Sequence, residues 1–192
     1  MKKNLKLIIL ILIIVVLFIA TYLLYNNLSK NYNADNLAQA NKTESVSQES
    51  ENQESSSKQK APDFTALDSN SKEVKFTDYK GKPIVLNLWA SWCGPCKQEM
   101  PHFEKAFKEN QDVQFLMVNV TSGDNKSDTE KLIKDEGYSF EVLYDIYGEA
   151  ANAYQASSLP MTIFIDKDGY LITYAVGALD AQMLSKGIEM IK

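Results

Sequence analysis

The sequence predicts an α/β domain set behind an apolar N-terminal segment and a polar connector. Three observations carry that prediction. The run Ile84–Trp89 (IVLNLW) is apolar throughout except for Asn87, as expected of a strand buried on both faces. Directly after it, Met100, Phe103, Ala106 and Phe107 recur at helical spacing. Farther on, the apolar stretches Met161–Asp166 and Tyr170–Val176 flank the turn Lys167-Asp168-Gly169. Strands that alternate with helices and close on a hairpin make an α/β layer arrangement.

At the N-terminus, Lys2, Lys3 and Lys6 precede Leu7–Leu24, which carries no charge. As a helix this stretch would extend roughly 27 Å, close to the roughly 30 Å hydrocarbon core of a bilayer. A cleaved signal peptide has a shorter apolar core, roughly 7–15 residues, with small residues before the cut. Thr21–Leu24 offer no such site, and no cysteine stands nearby to carry a lipid. The expectation is a retained transmembrane helix in residues 1–25, touching lipid through residues 7–24. The lysines precede the span, so the N-terminus belongs in the cytoplasm and the remainder outside, as a single-pass cell-membrane protein. Residues 26–60 are rich in Ser, Asn, Gln and Glu, and their aromatics stop at Tyr32. That composition predicts a disordered extracytoplasmic tether with a root-mean-square span of about 30–35 Å. The net charge of -5 speaks against a nucleic-acid partner.

The folded domain is expected over residues 61–192, long enough for one core. Asp63–Phe76 reads as two short strands around the polar turn Asp68–Lys72. The buried strand Ile84–Trp89 follows. A helix is expected from Cys96 to about Asn110, kinked at Pro101, which lacks an N–H and crowds the preceding turn. Val113–Thr121 is a second buried strand. Ser127–Gly137 is a short helix, capped by Ser127 or Asp128 and stopped by Gly137. A helix over Gly148–Tyr154, the hairpin strands and a helix from Asp180 onward complete the domain.

The only two cysteines, Cys93 and Cys96, enclose Gly94 and Pro95. That spacing serves half a zinc site, a haem attachment or a redox dithiol. A structural zinc site needs four ligands, and His102 is the only histidine. Haem attachment needs a histidine directly after the second cysteine, where Lys97 stands. A dithiol remains, with no metal and no cofactor. Cys93 falls at a helix N-terminus, where unpaired N–H groups and the helix dipole favour a thiolate. Pro95 pre-sets φ for the helix start and Gly94 keeps the turn tight. Cys96, one turn in and more buried, keeps its proton longer. Such a pair reacts in two steps: Cys93 attacks a partner disulfide, and Cys96 resolves the mixed disulfide. A structural disulfide is the other reading, natural in an exported protein, although so small a loop constrains little of the unfolded chain.

The segments APDF (Ala61–Phe64), YKGKPIVLNLWASWCGPCKQEMP (Tyr79–Pro101) and LPMTIFIDKDGYL (Leu159–Leu171) stand in an order and spacing that resembles the membrane-anchored or secreted thioredoxin-like proteins of the TlpA/ResA type. The resemblance implies a thioredoxin fold, a central mixed sheet flanked by helices with an N-terminal β-hairpin extension. It implies disulfide exchange by a Cys93–Cys96 redox disulfide, and a cis-proline at Pro160 that keeps a backbone edge open beside Cys93. It also implies a reductant of disulfides in exported proteins. Apocytochrome c during cytochrome c-type biogenesis and other envelope redox proteins are the substrates it suggests. An integral-membrane electron donor would recharge the pair, because no reducing thiol pool exists outside. Two positions depart from the pattern: Met161 intervenes between Pro160 and Thr162, and Leu159 offers no side-chain hydrogen bond.

An oxidase that introduces disulfides into exported proteins is the alternative within the same chemistry. A copper-binding chaperone needs a wider cysteine spacing and a distant histidine. A thiol peroxidase also opens with APDF but carries a lone attacking cysteine. Around the pair, Glu99 shares the Cys96 side of the helix. It is either a partly buried carboxylate that exchanges protons with Cys96 or a solvated helix residue. Asn87 stands where cytoplasmic thioredoxins carry a buried acid; it either leaves that task to Glu99 or bonds to neighbouring backbone. Trp92 shields Cys93 and offers a flat apolar contact. Trp89 belongs in the core, while Lys97 and His102 belong on the helix surface.

Overall fold

The computed structural model describes residues 16–22, 38–39 and 59–192. The chain divides into two units, Met1–Asn36 and Leu37–Lys192. In the first, residues 16–22 form a helix, α1, with exposed side chains. Among the described residues no helix is long and apolar enough to cross a membrane. The expected span over 7–24 extends outside the described residues at both ends, as does most of the expected tether over 26–60.

The second unit is built on one eight-stranded sheet in the order β1-β8-β7-β4-β5-β6-β2-β3. Its strands are β1 (Ala38–Gln39), β2 (Thr65–Leu67), β3 (Glu73–Lys75), β4 (Ile84–Trp89), β5 (Gln114–Asn119), β6 (Glu141–Tyr144), β7 (Met161–Ile165) and β8 (Leu171–Val176). Its helices are α2 (Gly94–Glu109), α3 (Lys126–Glu136), α4 (Glu149–Ala153) and α5 (Ala181–Ile191). β4 runs parallel to β5 and antiparallel to β7, so the sheet is mixed.

The continuous apolar run of β4 has a simple cause: both of its faces are covered. Val85 and Trp89 join Phe115, Met117 and Phe164 under residues of α2 and α5. Ile84, Leu86 and Leu88 join Leu116, Val118 and Ile163 on the opposite face, against Phe64, Phe76 and Ala150. Alternate residues point to opposite faces, so a strand between two apolar layers has no polar phase. On the α5 side the approach is very close: a Cβ at Gly187 would lie 2.2 Å from the Phe164 ring.

The hairpin β2–β3 pairs Thr65 with Lys75 and Leu67 with Glu73 around the expected turn. Asp68 Oδ1 closes that turn by accepting from Asn70 N and Lys72 N. Three details differ from expectation. Asn125, rather than Ser127 or Asp128, caps α3, because its side chain reaches Ser127 N at 2.9 Å. Helix α2 starts at Gly94, two residues before Cys96, and carries Pro101 inside it. The strand β6, which pairs parallel with β5, has no counterpart in the sequence reading; four residues beginning with Glu141 carry too little period to be seen. Ordered pairing also begins before Ala61: Lys60 bridges Tyr170, and Leu171 N donates to Gln59 O. Within the stretch read as tether, Ala38 and Gln39 pair antiparallel with Tyr174 and Thr173 of β8.

Candidate active site around the Cys93–Cys96 pair

Strand β4 delivers the chain into the turn Ala90–Cys93, where Cys93 N donates to Ala90 O. Cys93 is the N-cap residue of α2, and its Sγ accepts from Cys96 N at 3.2 Å. This bond satisfies one of the orphan donors of the helix start. The two cysteines are joined as a disulfide with Cα atoms 5.3 Å apart. Cys93 is 4% exposed and Cys96 is sealed at 0%, the order expected of an attacking and a resolving sulfur. Pro95 sits in the first turn of α2. Gly94 is exposed, and a Cβ there would meet open space.

The turn is clamped from the side by a segment that sequence reading overlooked. Asp124 accepts from Ser91 N at 2.5 Å, Ser91 Oγ at 2.6 Å, Asn119 Nδ2 at 2.8 Å, Asn125 N at 2.7 Å and Thr129 Oγ1 at 3.2 Å. Burial opposes the charge of this carboxylate, but the Ser91, Asn119 and Asn125 bonds prevail and hold it below the ordinary aspartate range. Beside it, Trp92 Nε1 donates to Gly123 O at 2.9 Å. The indole is thereby fixed while remaining 63% exposed. It presents a rigid apolar face next to Cys93. The other tryptophan, Trp89, is fully buried, as expected.

Pro160 lies at the same end of the sheet. β7 begins at Met161 opposite Leu88, one residue from the end of β4. The Leu159–Pro160 peptide bond is cis, as the resemblance implied. Pro160 O accepts from Gly177 N at 2.9 Å. Leu159 packs against the cluster that contains both cysteines.

Glu99 is buried at 1% exposure, which excludes the solvated alternative. Its Oε1 accepts from Asn87 Nδ2 at 2.8 Å, and its Oε2 accepts from Leu179 N at 2.8 Å. Burial pushes the carboxyl up to about 7, against the lowering by the Leu179 and Asn87 bonds. Asn87 also donates to Thr162 Oγ1 at 3.0 Å. Its partners are therefore side chains of the site rather than neighbouring backbone. Leu179 and Thr162 were missed because they lie 80 and 75 residues from the groups they bind. Of the remaining positions, Lys97 is exposed as expected, and His102 is half-buried rather than fully on the surface.

A disulfide at a helix start, a buried carboxyl of near-neutral pKa on the same helix and a cis-proline at the adjoining strand end suit thiol–disulfide exchange. The model of the AhpC/TSA family matches residues 57–174. The chain belongs to the AhpC/TSA family. This AhpC/TSA member is 36% identical over 134 residues to the thiol-disulfide oxidoreductase ResA of Geobacillus thermodenitrificans, covering 69% of the chain and 76% of that protein. With the ResA of Bacillus subtilis the identity is 34%, over 69% of the chain and 74% of the relative. Among solved structures it is similar to a thiol:disulfide interchange protein DsbE from Chlorobium tepidum, at 29% identity and a TM-score of 0.63, covering 69% of this chain and 94% of that one. The exposed lipoprotein thioredoxin Etrx1 of Streptococcus pneumoniae gives 29% identity and a TM-score of 0.57, covering 67% and 99%. This AhpC/TSA member is accordingly a thiol–disulfide oxidoreductase of the ResA/DsbE type, with a thioredoxin-like α/β fold.

Proposed function

We propose that the chain is a membrane-tethered, extracytoplasmic reductant of disulfides in exported proteins. Cys93 attacks and Cys96 resolves. In the reduced enzyme the Cys93 thiolate attacks one sulfur of a substrate disulfide, and the other substrate sulfur leaves as a thiolate that takes a proton from water. Cys96 gives its proton to the Glu99 carboxylate and attacks Cys93 Sγ. The Cys93–Cys96 disulfide forms and the second substrate thiol is released. The substrate gains two electrons and the enzyme loses two. An integral-membrane donor restores them. Apocytochrome c and other envelope redox proteins are the substrates considered first.

The observation that carries this reading is the asymmetry of the pair: Cys93 caps the helix and keeps 4% exposure, while Cys96 is sealed on the helix that carries Glu99. The ResA relatives support exchange, and the charge-free stretch after three lysines supports the tether. Two thiols one helical turn apart also favour exchange over peroxide reduction, so direct peroxide consumption should be absent. Trp92, Gly94, Pro95, Leu159 and Pro160 form the surroundings a substrate would meet.

The test is the reduction potential of the Cys93–Cys96 couple, measured by equilibration with a thiol buffer. A value near or below about -230 mV supports a reductant; a value near about -120 mV makes the chain a disulfide donor. Cys93→Ser should abolish exchange in either case.

A further inference from the structure

Behind the disulfide lies a buried polar group whose geometry disulfide exchange does not by itself require. Asn87 of β4 and Thr162 of β7 are register partners, and both are fully buried. Asn87 Nδ2 donates to Glu99 Oε1 and to Thr162 Oγ1. On the far side, Leu179 N donates to Glu99 Oε2. Among the described residues, Asn87 Oδ1 is buried with no hydrogen-bond partner. Buried acceptors are rarely left in that state.

This arrangement suits one protonation state only. An ionised carboxylate accepts and cannot donate, so donors on both oxygens complete it. A protonated Glu99 carries an O–H that would face the Asn87 amide N–H on one side and the Leu179 N–H on the other. Among the described residues, the buried acceptor of this group that is not already engaged is Asn87 Oδ1. We propose that the Asn87 amide turns over with the ionisation of Glu99, and that the Thr162 hydroxyl serves as its partner in both settings. With Glu99 ionised, Nδ2 donates to the carboxylate and to the threonine hydroxyl. With Glu99 neutral, Oδ1 accepts from the carboxyl O–H and from the same hydroxyl, which now donates. A hydroxyl is both donor and acceptor; a valine of the same shape is neither. Asn87 and Thr162 are thus positioning residues that let Glu99 take up and release the Cys96 proton without disturbing the fold.

The surroundings leave the switch to these groups. On α2, Cys96 and Met100 flank Glu99 in the chain, and in the disulfide form neither carries a charge; from β4 and β7 come the neutral Asn87 and Thr162. On the α5 side Asp180 is exposed and accepts from Met183 N. Burial places the Glu99 pKa at about 7, so both settings are populated near neutral pH. The use of the switch in catalysis rests on the exchange reading above; the switch itself needs only that Glu99 titrates.

The experiment is an NMR titration of the full chain in its disulfide form, following the Glu99 side-chain carboxyl carbon and the Asn87 side-chain amide. Cross-relaxation between the Asn87 NH2 and Thr162 should be present above the Glu99 midpoint and disappear below it. Contact that persists on both sides of the midpoint overturns the proposal, and this readout needs no variant. Asn87→Leu should raise the Glu99 midpoint by about one pH unit, a tenfold change in proton affinity, since the charged form loses its donor. Thr162→Val should move the midpoint and Thr162→Ser should restore it. A midpoint unmoved in Asn87→Leu, or equal in the Val and Ser variants, refutes the assignment. Because the disulfide form is titrated, these outcomes are independent of whether Cys93→Ser retains exchange activity, the result that would defeat the exchange reading instead.

Discussion

Position along a helix does not by itself decide what a residue does, and Glu99 illustrates this. Lys97 and Gln98 next to it are exposed, while Glu99 is buried against Asn87 and Leu179. Its raised pKa makes a stability statement. In the fold Glu99 keeps a proton that the unfolded chain releases at about 4.5, up to about 7. Within that window the folded state binds more protons than the unfolded one, so stability falls as pH rises and then levels off. A shift of this size corresponds to about 3 kcal/mol across the window. Asp145, raised by burial, acts in the same direction, so the share of Glu99 must be isolated. Denaturant unfolding of the disulfide form at pH 5 and pH 8 should show the wild type less stable at pH 8. Glu99→Gln should lose most of that difference. In the reduced enzyme the same substitution should displace the pH dependence of Cys96 alkylation; equal profiles would remove Glu99 from the proton path.

At the scale of elements, the site is held by two contacts that join segments distant in sequence. The first is the Asp124 clamp, which ties the turn Ala90–Cys93 to the end of β5 and the start of α3. Asp124→Ala leaves Ser91 N and Oγ without this partner, at a cost of about 1–3 kcal/mol. The turn should loosen with it. Trp92 emission, read in a Trp89→Phe background, should lose anisotropy, and exchange should slow. An anisotropy unchanged in the variant would mean that Gly123 O alone fixes the indole. The second contact is the seat of α5 on β7 at Gly187. Alanine is the better helix former by about 1 kcal/mol, yet the added methyl would meet the Phe164 ring at 2.2 Å. Overpacking of that kind costs about 1–3 kcal/mol. Gly187→Ala should therefore lower the thermal midpoint; a rise would show that Phe164 can give way freely.

For the whole molecule, what could be read in advance follows the range of the interaction. Ile84–Trp89 was legible because a strand covered on both faces must be apolar along its length, and Gly137 because a left-handed residue ends a helix; its φ is 70°. The cysteine pair was legible because its chemistry is local. The α3 cap was misplaced by two or three residues because Asn125, Ser127 and Asp128 are all good caps, and only the path of the chain chooses among them. β6, the Asp124 clamp and the Glu99–Leu179 bond were invisible because each depends on a partner brought in by the sheet. The direction of electron flow is set at the same global level. The potential of the pair differs from that of an unfolded dithiol by the difference in folding stability between the disulfide and dithiol forms, and about 30 mV corresponds to 1.4 kcal/mol for two electrons. Cys93 at the N-cap favours the thiolate and so stabilises the reduced form, whereas the burial of Cys96 and of Glu99 opposes carrying further charge there. A reductant requires the second influence to prevail. Chemical denaturation of both forms under matched conditions should then find the disulfide form the more stable. If the dithiol form is the more stable, the molecule stores its free energy as an oxidant, and the proposed direction of flow reverses.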